Sequence, residues 1–104
     1  MDRIAKLKEY LEKTQEDSFL QHALALEYVK LADDETARQY FESLLASNPN
    51  YVGSYYHLGK LWERASNFLK AIEVYGDGMK IAKAAGDNHA YNELQAAQDD
   101  LLDY

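Results

Sequence analysis

Apolar residues recur along the chain at intervals of three and four, the spacing that places side chains on one face of an α-helix. In the first segment Ile4, Leu7 and Leu11 form such a stripe between lysines and glutamates. Five glycines and one proline in 104 residues leave few positions for the tight turns of β-hairpins. The pattern predicts an all-α chain of six helices, at about residues 2–13, 19–32, 35–47, 51–65, 68–85 and 88–102.

Short polar stretches separate these helices and supply their caps. Ser18 and Gln21 fit a capping box, which predicts Ser18 as the N-cap of the second helix. The other breaks lie at Asp33-Asp34, Asn48-Pro49-Asn50, Ser66-Asn67 and Gly86-Asp87. Such short connections predict that consecutive helices run antiparallel.

The chain also repeats itself with a period of 34 residues. Positions one period apart share a size class rather than an identity, as in the pairs Leu24 and Leu58, Ala25 and Gly59, Tyr28 and Trp62, Ala37 and Ala71, Phe41 and Tyr75. A small residue lets two helices of a hairpin approach closely, whereas an aromatic residue fills the wider gaps beside that approach. Gly59 is therefore expected at a close helix contact, and Gly78 at a second packing position.

The repeat resembles the tetratricopeptide repeat (TPR) signature. Residues 52–85 carry its positions as Tyr55, Leu58-Gly59, Trp62, Ala71 and Tyr75, and residues 18–51 carry them as Leu24-Ala25, Tyr28, Ala37, Phe41 and Pro49. Two positions depart from the pattern. Gln21 stands in place of an aromatic residue, and Lys83 stands in place of the second proline, which is consistent with a longer fifth helix.

The resemblance implies a right-handed solenoid of antiparallel helix hairpins, with one TPR-like domain over residues 1–104. Its expected parts are a half-repeat at 1–17, two repeats at 18–51 and 52–85, and a capping helix at 86–104. A helical bundle without repeats is the alternative.

Charge and composition exclude several classes of function. The chain has no cysteine, which excludes a disulfide scaffold, a thiol nucleophile and a cysteine-ligated zinc site. A net charge of −7 argues against nucleic acid as a partner. The longest aliphatic run, Ala23–Leu26, is too short to cross a membrane, so the protein is expected to be cytoplasmic. Acidic residues near the end, among them Asp99, Asp100 and Asp103, either keep the protein dispersed or attract a basic partner.

Little in the sequence indicates catalysis or a cofactor. His22, His57 and His89 stand near the starts of the second, fourth and sixth helices, where a column of histidines could bind a metal or sense pH. No two of them are three or four residues apart on one helix, so polar groove residues are the favoured interpretation. Gly76-Asp77-Gly78 lacks the strand and lysine of a phosphate loop and is interpreted as a packing feature. No enzyme activity, metal or cofactor is expected.

The TPR resemblance implies that the first helices of successive repeats line a groove for a peptide or a partner helix. The residues at those positions are Phe19, His22, Leu26, Tyr56, His57, Lys60, Arg64 and Leu94. The expected function is a non-catalytic protein–protein interaction module whose partner is an unidentified protein or peptide. The alternative is a structural protein that self-associates as a homodimer and has no groove ligand.

Overall fold

The computed structural model describes residues 2–14 and 17–102. Asp103, which the sequence groups with the acidic residues, lies outside this part of the chain. The helices are α1 (Arg3–Lys13), α2 (Ser18–Lys30), α3 (Asp34–Ser47), α4 (Gly53–Arg64), α5 (Phe68–Ala85) and α6 (Asn88–Leu102). Between residues 2–14 and 17–102 no β-strand occurs, and the predicted all-α, six-helix organisation is confirmed.

The N-cap of α2 differs from the prediction. Asp17 is the cap, because its carboxylate accepts a hydrogen bond from the amide of Leu20 at 3.1 Å. Ser18 is the first residue of the helix, and its Oγ accepts a hydrogen bond from Nδ2 of Asn48 at 2.9 Å. The capping-box prediction was wrong because the aspartate one residue earlier is an equally strong cap, which leaves the serine hydroxyl to contact Asn48, the C-cap residue of α3.

Three further N-caps agree with the predicted breaks, whereas α4 begins after Val52, which makes no side-chain cap hydrogen bond. The side chains of Asp33, Asn67 and Asp87 each accept a hydrogen bond from the amide three residues later, at 3.3, 3.2 and 3.0 Å. Gly86 ends α5 in the left-handed conformation with φ 71°, which costs a glycine little because it has no Cβ. α3 ends at Ser47, two residues before Pro49.

The turns that follow α2 and α4 have the same geometry one repeat apart. Ala32 and Ser66 both adopt positive φ values, 59° and 60°. The next amide in each turn donates back to the carbonyl five residues earlier, from Asp33 to Tyr28 at 3.0 Å and from Asn67 to Trp62 at 2.9 Å. This helix-ending pattern satisfies carbonyls that have no partner within the helix. The 34-residue period is therefore a period of backbone geometry as well as of side-chain size.

The chain forms two compact units, Met1–Pro49 and Asn50–Tyr104. In the first unit α2 packs against both α1 and α3. Its core contains one residue of α1 and small, aliphatic and aromatic residues of α2 and α3, namely Leu7, Leu24, Ala25, Ala37, Phe41 and Leu44. Of the predicted α1 stripe only Leu7 is buried, while Ile4 and Leu11 are half-buried.

In the second unit α5 packs against both α4 and α6, and α4 also contacts α6. The buried apolar residues are Tyr55, Leu58, Leu61, Ala71, Val74, Tyr75, Ala82, Leu94, Ala97 and Leu101. Tyr75 is the largest of the fully buried side chains. The second unit is therefore organised around the middle helix, α5.

Two glycines make the close packing of this unit possible. A Cβ placed on Gly59 would lie 2.6 Å from Cζ of the Tyr75 ring, and one on Gly78 would lie 2.6 Å from Cβ of Tyr55. Both separations are shorter than van der Waals contact. The expected packing roles of Gly59 and Gly78 are confirmed, and the structure identifies the Tyr75 ring as the group that Gly59 accommodates.

Gly59→Ala is expected to lower the free energy of unfolding by about 1–3 kcal/mol, because the Tyr75 ring has no room to retreat. Gly76→Ala is the matched control on α5. Its Cβ would meet only Nε2 of Gln98 at 3.2 Å. Because alanine has the higher helix propensity, the free energy of unfolding of this variant should equal that of the wild type or exceed it by up to about 1 kcal/mol. Urea unfolding of both variants measures the difference, and equal stabilities would contradict the close contact at Gly59.

Candidate functional site

Two predicted contact residues lie one turn apart on α4 and touch each other. Nζ of Lys60 is 5.4 Å from the centroid of the Tyr56 ring, within the range of a cation–π interaction. The same Nζ is 3.4 Å from Oε2 of Glu63. Both Tyr56 and Lys60 are half-buried. The ammonium group of Lys60 is thus held between an aromatic face and a carboxylate.

Glu63 connects this surface pair to the core. The hydroxyl of Tyr75 donates a hydrogen bond to the carboxylate of Glu63, and the rings of Tyr75 and Tyr56 are 6.3 Å apart. Burial, together with the neighbouring carboxylate, raises the pKa of Tyr75, so its hydroxyl stays protonated and remains a donor. We call Tyr56, Lys60, Glu63 and Tyr75 the α4 cluster.

His57 lies beside this cluster and is half-buried. Its ring meets the edge of the Tyr56 ring at 5.8 Å and an angle of 87°. Burial lowers the pKa of His57, and the charge of Glu93 opposes that shift only in part. The imidazole is therefore neutral at pH 7 and offers one donor and one acceptor nitrogen.

The other two predicted contact residues of this unit have different environments. Arg64 is exposed at the last position of α4. Leu94 of α6 is only 1% exposed. Its Cδ1 lies 2.9 Å from the point that a Cβ on Gly78 would occupy, so it fills the space between α5 and α6. A side chain in that position has no surface for a partner, and its assignment as a contact residue was wrong.

The predicted contact residues of the first unit lie on α2. Phe19 is 69% exposed, which is unusual for a large aromatic side chain. The ring of His22 packs edge-on against that of buried Phe41 at 5.5 Å. Leu26 is half-buried. Of these three, Phe19 offers the largest free apolar surface.

No protein-family model matches the chain. A solved structure of a tetratricopeptide repeat domain protein from Salinibacter ruber is 40% identical in sequence, with a TM-score of 0.79. The alignment covers 82% of this chain and 94% of that one. The chain belongs to the tetratricopeptide repeat family.

Curated relatives are more distant from this TPR protein. A TPR repeat-containing protein of Pseudomonas aeruginosa is 25% identical over 91 residues, which are 88% of this chain and 87% of that protein. The ycf37 protein of Guillardia theta is 29% identical over 69 residues, 66% of this chain. The matched part spans only 37% of the Guillardia protein.

Two members of the α4 cluster, Glu63 and Tyr75, were absent from the predicted contact residues. Glu63 follows Lys60 by three residues, a spacing at which opposite charges meet on a helix, so the sequence contained that signal. Tyr75 is a signature position of the TPR and was assigned to packing alone. That its hydroxyl reaches Glu63 depends on how α4 and α5 pack.

The described residues contain no group of three or more histidine, aspartate and glutamate side chains that could hold a metal ion. Among the same residues, no helix has the length and apolar character needed to cross a membrane.

His57 is expected to make the stability of this TPR protein depend on pH. Its pKa is lower in the folded chain than the usual value of about 6.5 in the unfolded chain. The unfolded chain therefore binds the proton more tightly, and acid favours unfolding below about pH 6.5. Urea unfolding between pH 7.5 and 5 should show a smaller loss of stability in His57→Gln than in the wild type.

His89→Gln, at an exposed position, is the matched control for the loss of an imidazole. Parallel profiles for His57→Gln and the wild type would contradict a lowered pKa of the half-buried His57.

Proposed function

We propose that this chain is a non-catalytic adaptor in which Tyr56 and Lys60 of the α4 cluster contact a peptide segment or a helix of another protein. The TPR fold is generally a protein–protein interaction module, and the family supplies the class of function. The proposal that the partner contacts α4 rests on the residues of this chain.

The observation that carries the proposal is the restraint on Lys60 and Glu63. Lys60 contacts the Tyr56 ring and the Glu63 carboxylate, and Glu63 also accepts the hydrogen bond of the buried Tyr75 hydroxyl. Long charged side chains on a surface usually lose rotamer freedom when a partner binds. Here much of that freedom is already lost in the free protein, which lowers the entropic cost of binding.

The chemistry of the surface suits a peptide that carries both polar and apolar groups. Tyr56 offers a large ring and a hydroxyl, and Lys60 offers hydrogen-bond donors. Tyrosine is enriched in interfaces for the same reason, since it supplies much contact area with few rotatable bonds. Phe19, His22 and Leu26 on α2 remain proposed as further contact residues in the first unit.

Tyr56→Ala/Lys60→Ala is expected to abolish capture of a partner, because it removes the ring and the restrained ammonium group together. The measurement is affinity capture from a lysate of the source organism, with bound proteins identified by mass spectrometry. A partner of the α4 cluster is retained by the wild type and lost from the variant.

Tyr10→Ala/Lys13→Ala is the matched control, because it removes the same residue types from exposed positions of α1. This control should retain the partner, and circular dichroism should show unchanged helix content in both variants. A partner that both double variants still bind would place the binding site elsewhere.

Self-association is the second candidate function, and one observation favours it. The first turn of α5 exposes two neighbouring apolar side chains, Phe68 at 44% and Leu69 at 82%. The equivalent positions one repeat earlier hold Asp34 and Glu35, which are usual at the start of a helix. A second copy of the chain that covers this apolar pair would remove its surface from water, which favours association.

This second candidate predicts that the mass measured by light scattering rises to that of a dimer with increasing concentration. Phe68→Ser/Leu69→Ser should then stay monomeric, whereas Leu31→Ser, at another exposed apolar position, should dimerise like the wild type. A wild-type protein that stays monomeric up to millimolar concentration would rule this candidate out.

A further inference from the structure

An open furrow runs between α5 and α6 on the second unit, apart from the α4 cluster. Its volume is about 330 Å³, which is within the range of small-molecule sites. Its lining residues all come from α5 and α6, namely Gly76, Met79, Lys80, Lys83, Tyr91 and Gln98.

One end of the furrow is held in place by a contact between the two helices. Nε2 of Gln98 donates a hydrogen bond to the carbonyl of Ile72 at 3.1 Å. The Gln98 side chain lies beside Gly76, since a Cβ on Gly76 would lie 3.2 Å from the same Nε2. The missing side chain at Gly76 leaves the furrow open beside this contact.

Lys83 lines the furrow because α5 is longer than the TPR pattern requires. The pattern has proline at this position, and proline would end the helix before residue 83. Here α5 continues to Ala85 over 18 residues. The extension places Lys83 about one turn beyond Lys80, on the same side of the helix. A departure from the family pattern thus supplies a charged group to this surface.

The two lysines of the furrow differ from the other lysines of their unit. Lys60 and Lys70 form ion pairs with Glu63 and Glu73, each at 3.4 Å. Lys80 and Lys83 are exposed, and neither has an ion-pair partner among the described residues. They bring two positive charges to a lining that contains no acidic residue, and a compact anion would complement them.

The rest of the lining favours an aromatic body for that anion. Tyr91 and Met79 are both half-buried at the edge of the furrow. An aromatic ring can stack on the tyrosine ring and contact the methionine sulfur, and both contacts are favourable. We propose that the furrow between α5 and α6 binds a small aromatic carboxylate, with Lys80 and Lys83 on the acid and Tyr91 and Met79 on the ring.

The test uses 3-phenylpropionate and the full chain labelled with nitrogen-15. Titration should shift the amide resonances of residues 79–83 and 91–98, with a dissociation constant of about 1–10 mM for so small a ligand. The neutral analogue 3-phenylpropanol keeps the ring without the charge, and acetate keeps the charge without the ring. Each should bind at least about tenfold more weakly, since each lacks one half of the interaction.

Lys80→Ala/Lys83→Ala should weaken the binding of 3-phenylpropionate by about tenfold or more. Lys6→Ala/Lys13→Ala removes two exposed lysines of α1 and should bind like the wild type, which controls for total charge. Thermal melting should confirm that both double variants are folded. Tyr56→Ala/Lys60→Ala should also bind like the wild type, so the result is independent of the α4 cluster.

Three results would overturn the proposal. The first is that the shifted amide resonances lie only in other parts of the chain. The second is that 3-phenylpropanol binds as tightly as 3-phenylpropionate. The third is binding that the loss of Lys80 and Lys83 leaves unchanged.

Discussion

The position of one aromatic ring organises much of the second unit. Tyr75 is fully buried, and its ring fits against α4 only because residue 59 has no side chain. From that position its hydroxyl reaches Glu63, which in turn contacts Lys60. A packing constraint in the core therefore also orders charged groups on the surface. The conformation of the α4 cluster and the stability of the hairpin depend on the same close approach.

The two candidate surfaces of this unit arise in different ways. The α4 cluster uses a signature residue of the repeat, because Tyr75 serves both the core and the surface network. The furrow between α5 and α6 depends on residues outside the signature, with Lys83 in place of proline and Gln98 fixed to the α5 backbone. A repeat family can thus place distinct chemistry on a common scaffold, both through its shared positions and through its departures from them.

Local signals in the sequence were sufficient to predict a helix end where a single residue caps it. Asn67 and Asp87 cap the starts of α5 and α6 and Gly86 ends α5, all through contacts within a few residues, and these roles were predicted correctly. Prediction was wrong at Asp17 and Ser18, where two good caps are adjacent and local chemistry does not rank them. Asn48 decides between them by binding the Ser18 hydroxyl from 30 residues away along the chain.

The sequence by itself determined the helices, their breaks and the repeat, because periodicity, caps and residue size act over a few residues or recur at a fixed interval. It also indicated Tyr56, His57 and Lys60 as surface residues of α4. Only the tertiary structure decided that Leu94 belongs to the core, that Tyr75 reaches Glu63, and that Lys80 and Lys83 flank a furrow. These outcomes depend on the distances between helices, and the packing of side chains sets those distances. The spacing of residues along one helix does not encode them.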